Sequence, residues 1–381
     1  MHTPDIFIVG GGPAGLATAI AARQRGFEVT VADGSRPPID KPCGEGLMPD
    51  ACAALSKLGI TVPAEESQPF RGIKFAEGGP REDDRSEDDR SEDGHSVEAN
   101  FPGGTGMGIR RTVLHRLMIA RAEAAGVALL WQTPVTGLHP EGVRVAGDVI
   151  RARWVIGADG RGSRVRSWAG LDHGRKRKRF AFRQHYGVPP WNACMEVHWG
   201  RTCQIYVTPV AADEICIAVA SREPHLRLDR ALLEFPEIAW RLRGAACSSN
   251  ERGAISSTRE IKSVYQGNIA LVGDASGTVD CITGEGLGLA FRQADLLAES
   301  LAQGDLAAYQ RGHRALARRP AFMARLLLAL DWNSSLRRRA MRAFAADPSL
   351  FGRMVAMHVG ALSPLNFAAS GLSLGWQLLL A

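Results

Sequence analysis

The apolar pattern changes period several times along the chain, and each change predicts an element. Residues 6–9, "IFIV", are continuously apolar, as a strand buried on both faces requires. In the following "PAGLATAIAARQRG", Leu16, Ala17, Ile20 and Ala21 recur at helical spacing, and Gly26 supplies a stop signal. "FEVTVAD" returns to a strand and ends in Asp33. A Pro- and Gly-rich loop, "GSRPPIDKPCGEGLMP", leads into a short helix, "DACAALSKLG". Val113, Leu114, Leu117, Met118, Ala122 and Ala125 mark one face of an amphipathic helix. A strand, "VALLWQ", and an alternating hairpin carry the chain to "RWVIGADGRGSRVR". Between about 180 and 260, runs such as "ACMEVHWG", "CQIYVTPV" and "EICIAVAS" predict an antiparallel sheet. The α/β pattern resumes at "NIALVGDASG", followed by a helix in "LGLAFRQADLLAESLA" and by Arg-rich helices.

Charge alters this picture in one place. The 381-residue chain carries a net +6, but residues 81–93, "REDDRSEDDRSED", contribute −5 and leave +11 elsewhere. This tandem "EDDRS" repeat has no apolar residue and cannot bury enough surface to order itself, so 76–99 is expected to be a disordered acidic loop. The remaining Arg is dispersed over helices and reads as solubility. "GRKRKRF" (174–180) has no nucleic-acid-binding module around it; it reads as a solvated loop, and no nucleic-acid partner is expected. The seven Cys form no CxxC pair and no zinc-type spacing with His, which points to reduced thiols, no metal site and a cytoplasmic setting. No signal peptide is visible. After Arg353 the chain has no Asp, Glu, Lys or Arg. "VGALSPLNFAASGLSLGWQLLLA" is expected to pack as helices on the core, with a peripheral membrane contact as the alternative; Pro364, Asn366 and Gln377 weaken a spanning helix.

The turn after the first strand reads Gly10-x-Gly12-x-x-Gly15, and Asp33 ends the next strand, 18 residues after Gly15. A lone GxGxxG is weak evidence, but between a strand and a helix, with an acid at this distance, it is a dinucleotide-binding fingerprint. Gly10 permits the tight turn, Gly12 lets a pyrophosphate approach the backbone, and Gly15 lets helix and strand pack closely. The helix N-terminus offers N–H groups to the phosphates, and Asp33 offers acceptors to the adenosine ribose. Two later strand ends repeat the theme: Asp159-Gly160 in "IGADGRGSRVR", and Gly273-Asp274 in "LVGDASG".

These three motifs, in this order, resemble the flavoprotein group of p-hydroxybenzoate hydroxylase-type monooxygenases, flavin-dependent halogenases and geranylgeranyl reductases, over about residues 5–300. The resemblance implies an α/β fold with α+β insertions: a Rossmann-like FAD-binding domain of the glutathione reductase type, an inserted antiparallel-sheet substrate domain and C-terminal helices. The implied division is 1–75, 100–180 and 260–305 for the discontinuous FAD-binding domain, 181–259 for the substrate sheet and 306–381 for the helical region. By the same resemblance Asp274 binds a ribitol hydroxyl of FAD, Asp159 lies near the pyrophosphate, and Arg111 begins a helix that contacts FAD. Gly284 and Gly286 precede a helix aimed at the flavin ring, where its N-terminus favours negative charge. NAD(P)H is expected as a transient co-substrate, since the chain has one GxGxxG only.

The departures select among reactions. Gly277 stands where many hydroxylases of the group have His, and "GDASGTVDCITGEG" and "KPCGEGLMP" (41–49) look more like the geranylgeranyl reductases. The halogenases' Trp-x-Trp-x-Ile-Pro is absent. Cys43, Glu45 and Glu285 are the candidate catalytic residues: Cys43 to touch substrate or flavin, Glu45 to shuttle a proton, and Glu285 at a helix start. Packing or helix-start electrostatics account for the same residues without catalysis. His185 and His198 read as structural. The expected activity is reduction of a hydrophobic isoprenoid- or polyketide-like molecule. The alternatives are hydroxylation of an aromatic or polyketide substrate and a non-catalytic lipid- or prenyl-binding protein. The sequence leaves the oligomeric state open.

Overall fold

Alternation along short buried strands organises the first layer. In a computed structural model, which describes residues 3–78, 96–172 and 176–363, Ile6–Val9 pairs in parallel with Val29–Ala32 on one side and Trp154–Gly157 on the other. Ala128–Leu130 and Ile269–Leu271 extend this parallel sheet, and Tyr265–Gln266 closes one edge antiparallel. Ile6 and Ile8 face the helices Pro13–Arg23, Arg111–Ala124 and Gly286–Gln303; Phe7 and Val9 face the opposite side, where the hairpin strands Val135–His139, Gly142–Val145 and Asp148–Arg151 supply Val143 and Val145. Both faces are therefore covered, which is why these strands read as continuously apolar.

Among the described residues the second layer is an eight-stranded sheet, and it is broader than the stretch 181–259. Its long strand Lys176–Gly187 pairs with Glu214–Ser221 and Arg252–Arg259; Cys203–Ala211 and Met195–Trp199 follow. Gly72–Glu77 then adds in parallel to Met195–Trp199 and itself carries Ser96–Asn100. Residues on either side of the acidic stretch thus form strands; its 79–95 portion lies outside the described residues. One sheet face, with Phe75, Val197, Trp199 and Tyr206, packs on the C-terminal helices; the other, with Ile205, Val207, Ile215 and Ile217, packs on Leu228–Ala231 and Pro236–Arg241.

The basic run 174–180 is corrected here from a solvated loop. From Lys176 it is strand, and Arg179 is buried against Asp331 at 2.9 Å and Asp280 at 3.7 Å. Its partners come from 100 and more residues away, so local charge gave no sign of them.

The C-terminal helices are Leu306–Trp332, Ser334–Ala346 and Pro348–His358, opened by the capping side chains Asp305, Asn333 and Asp347. Among the described residues no helix is long and apolar enough to cross a membrane. Residues 364–381, which hold most of the uncharged tail, lie outside the described residues. All seven cysteines are free thiols.

Candidate active site

The cleft starts at the Gly-rich turn. Gly10 has φ +112°, and a Cβ there would meet the Ala158 carbonyl oxygen at 2.5 Å; at Gly15 it would lie 1.9 Å from the Gly10 oxygen. Only glycine allows strand and helix to approach so closely. At Gly12, by contrast, nothing lies within 4 Å of an added Cβ, so this side of the turn is open. The helix Pro13–Arg23 begins there with no side-chain cap, leaving N–H groups directed into the opening.

Asp33 braces the turn. Its Oδ2 accepts from Gly11 N at 2.8 Å and its Oδ1 from Ser35 N at 2.7 Å. Each oxygen keeps a second lone pair for a ribose hydroxyl. Buried His115, absent from the sequence candidates, donates from Nε2 to the Gly11 carbonyl at 2.8 Å. Burial pushes His115 down and keeps it neutral, so Nδ1 is a buried acceptor with no partner. Its one signal in sequence was a polar residue on the buried face of helix Arg111–Ala124, one turn after Arg111.

The two later motifs converge on the same opening. Asp159 lies beside Gly10; its Oδ2 accepts from Arg164 N at 2.7 Å and Val165 N at 3.1 Å, while Oδ1 is buried without a partner. Gly160 turns with φ +80° near Lys41. Gly273, with φ +60°, packs on Ala14 and donates its N–H to Gln293 Oε1 at 3.0 Å. Asp274 is exposed to the cleft, yet the surrounding protein desolvates it enough to hold its carboxyl above the usual range, against Arg111, Lys41, Arg161 and Arg166 pulling it down. Arg111 is buried with its Nε unpartnered. An open glycine cradle, an uncapped helix start and three unsatisfied buried polar atoms fit a bound dinucleotide.

Glu45 and Cys43 sit on the far side of Arg111. Glu45 is 3% exposed and holds a left-handed backbone, φ 58°. Oε1 accepts from Arg111 N at 2.9 Å, and Oε2 lies 2.5 Å from His185 Nε2. Arg183 approaches Oε1 at 3.6 Å and holds Asp40 at 2.5 Å, and His185 Nδ1 continues to Ser249 Oγ at 2.8 Å. His185, read from sequence as structural, is thus the direct partner of a site carboxylate; pairing across 140 positions hid it. His198 pairs with Glu196 at 2.8 Å inside the second layer. Glu45, His185 and Cys216 offer ligand atoms within 4.8 Å of one another, but the Arg183 guanidinium already occupies the role of cation there. Cys43 Sγ accepts from Glu45 N at 3.3 Å, and burial pushes its thiol up despite nearby Arg111.

Glu285 goes elsewhere. Gly284 is left-handed, φ 67°, and at Gly286 an added Cβ meets nothing within 4 Å, so the start of helix Gly286–Gln303 is open. The Glu285 side chain instead turns into the C-terminal helices. It accepts from Arg319 at 3.0 Å, with Arg319 also on Asp50 at 2.6 Å, and its Oε2 lies 3.6 Å from His358 Nδ1. Burial raises its carboxyl despite His358 and Arg319. Beside it an apolar cavity, open on one side, lies between the sheet and the C-terminal helices. Phe75, Trp199, Tyr206, Met323, Leu327 and His358 are among its walls, and Ile282 and Thr283 lead from it to the Gly284 turn.

Comparison with known proteins agrees with this geometry. Residues 3–207, over half of the chain, match the family described as FAD binding domain. The menaquinone reductase of Mycobacterium tuberculosis is 28% identical over 341 residues, covering 80% of this chain and 78% of that protein. Digeranylgeranylglycerophospholipid reductase 1 of Methanothermobacter thermautotrophicus is 28% identical over 331 residues, covering 81% and 80%. A flavoprotein/dehydrogenase from Cytophaga hutchinsonii superposes with a TM-score of 0.78 over 96% of this chain and 95% of its own, at 19% identity, a likeness of fold. The chain therefore belongs to the FAD-binding-domain family as an FAD-dependent oxidoreductase.

Proposed function

We propose that this oxidoreductase takes reducing equivalents from NAD(P)H and delivers them to a hydrophobic isoprenoid- or polyketide-like molecule. The observation that carries this reading is the apolar cavity beside the Ile282–Thr283 turn, whose walls hold no charged side chain apart from what protonation gives His358. The two reductase relatives support it, one named for menaquinone and the other for digeranylgeranylglycerophospholipid.

Bound FAD supplies the two-electron transfer between nicotinamide and substrate. The chain's own residues bind and orient it. The Gly10–Gly12 turn and the start of helix Pro13–Arg23 would hold the pyrophosphate, Asp33 the adenosine ribose, and Asp274 a ribitol hydroxyl; Arg111 and Asp159 would use their free buried atoms on the same group. The open Gly284–Gly286 turn would leave room for the flavin ring, and the start of helix Gly286–Gln303 would offer it N–H groups. Glu45 and His185 hold one proton between Oε2 and Nε2, and Ser249 carries the chain of hydrogen bonds toward the surface. Cys43 stays a neutral thiol on the Glu45 loop.

NADPH oxidation by the purified yellow protein, followed by flavin absorbance and an oxygen electrode, tests the reading. Bleaching that persists without oxygen and reverses when a prenylated quinone is added is the expected result. Oxygen uptake stimulated by a phenolic compound, with one oxygen atom gained by the product, overturns it in favour of hydroxylation.

A further inference from the structure

We infer that His358, backed by Glu285, is the polar anchor of the apolar cavity, and that the cavity takes a neutral isoprenoid-type molecule bearing a hydrogen-bonding oxygen, not a prenyl diphosphate. This rests on the reading above and narrows its substrate class.

The argument begins with an unmet hydrogen bond. His358 is 5% exposed and lines the cavity. Its Nδ1 is buried without a hydrogen-bond partner; the nearest acceptor, Glu285 Oε2, stands 3.6 Å away and is itself unpartnered. A buried imidazole left so is costly unless a ligand completes it. His358 ends the helix Pro348–His358, so the ring is fixed by a packed element whose Phe351, Met354 and Val355 are buried. A second wall residue, Trp199, also has a buried indole N–H without a partner. Both groups can donate to an oxygen, and the walls around them are mostly hydrocarbon and thioether, the hydroxyls of Tyr206 and Thr283 being given to the Ile282 and Asp280 carbonyls.

Charge excludes the anionic alternative. A diphosphate needs Arg or Lys within reach, and no Arg or Lys lines the cavity. The cations behind it are engaged: Arg319 is held by both Asp50 and Glu285, and Arg292 by Asp50. Glu285 stands beside the His358 ring and adds no positive charge that could hold a phosphate.

The test measures binding to the FAD-loaded enzyme by quenching of tryptophan fluorescence. The probes are a short-chain prenylated naphthoquinone, a prenyl hydrocarbon of similar length without oxygen, and geranylgeranyl diphosphate. Wild type is expected to bind the quinone about tenfold more tightly than the hydrocarbon, the size of one net hydrogen bond, and the diphosphate most weakly. His358→Phe is expected to erase the preference while leaving hydrocarbon binding unchanged, and His358→Gln, which still donates, to restore part of it. Flavin content checks that each variant is folded. An unchanged preference in His358→Phe, or tighter binding of the diphosphate, overturns the anchor while the apolar-substrate reading stands. Failure of wild type to bind any of the three overturns both.

Discussion

The molecule buries two glutamates at the meeting of its layers and treats them in opposite ways. Glu45, on the nucleotide-binding side, has both oxygens satisfied: a backbone N–H on one, His185 on the other, and Arg183 close by. Glu285, at the start of helix Gly286–Gln303, has one oxygen on Arg319 and one without a partner, and burial keeps its carboxyl high. A carboxylate satisfied on every side is fixed in place. One satisfied on one side only is a place where a proton or a ligand can still change the balance. The difference teaches that equal burial does not mean equal role. The fully partnered acid defines geometry, and the half-partnered acid belongs to the wall where substrate is proposed to bind.

The sharpest way to break this comparison is to remove the satisfied acid. Glu45→Ala strips an acceptor from Arg111 N and leaves His185 buried beside Arg183, although Arg183 keeps Asp40. Breaking a buried pair from one side costs about 3 kcal/mol or more, so urea denaturation of the FAD-loaded protein is expected to show a loss of that size. Glu45→Gln keeps one acceptor and loses less. A loss under about 1 kcal/mol for Glu45→Ala means that the network is not the rigid element described here.

A smaller effect, but one with a definite sign, is expected at Glu285. Its carboxyl is held above the range of an unfolded chain, so the folded protein keeps a proton that the unfolded chain has released. Stability from this site is complete below the unfolded range and is lost as pH rises through the raised folded value. Glu285→Gln removes that dependence, and Arg319 retains Asp50. At acid pH variant and wild type should differ by no more than about 1 kcal/mol. The variant should gain relative to wild type as pH rises toward neutral, measured as the difference in urea midpoints across a pH series. A gain in the other direction means that Glu285 is a committed ion-pair carboxylate.

Legibility followed distance along the chain. Gly10, Gly12 and Gly15 were readable because a tight turn and a close helix–strand approach leave their mark within six residues. Asp159 and Asp274 were readable because each ends a strand whose apolar run is itself a local signal. Partnership across layers left no such mark. His185 meets Glu45, Arg179 meets Asp331, and His358 meets Glu285 only after sheets and helices pack. The same holds for the strands Gly72–Glu77 and Ser96–Asn100, which flank an acidic run and join the second sheet through pairing with a strand more than 100 residues on. In sequence Cys43, Glu45 and Glu285 looked alike: polar residues in glycine-rich loops. Their surroundings, not their motifs, tell them apart.

Cys43 gives the smallest effect and sharpens the comparison most economically. Its Sγ accepts the Glu45 N–H, so it belongs to the satisfied side, and burial holds it as a neutral thiol even with Arg111 nearby. A serine hydroxyl is also neutral, also small and also accepts a hydrogen bond. Cys43→Ser should therefore leave flavin content unchanged and alter turnover by no more than about threefold, a change of under 1 kcal/mol in the barrier. Alkylation of Cys43 in the wild type should be slow at neutral pH and should accelerate only above the range of an ordinary thiol, since the thiolate is the reactive form. Mass spectrometry of the peptide spanning 41–49 after timed iodoacetamide treatment reads this directly. Rapid alkylation at neutral pH would show that the Arg111 side of the cleft stabilises a thiolate. The loop of Glu45 would then hold a reactive group, and the fully partnered carboxylate would be serving a nucleophile instead of only fixing the geometry around the flavin.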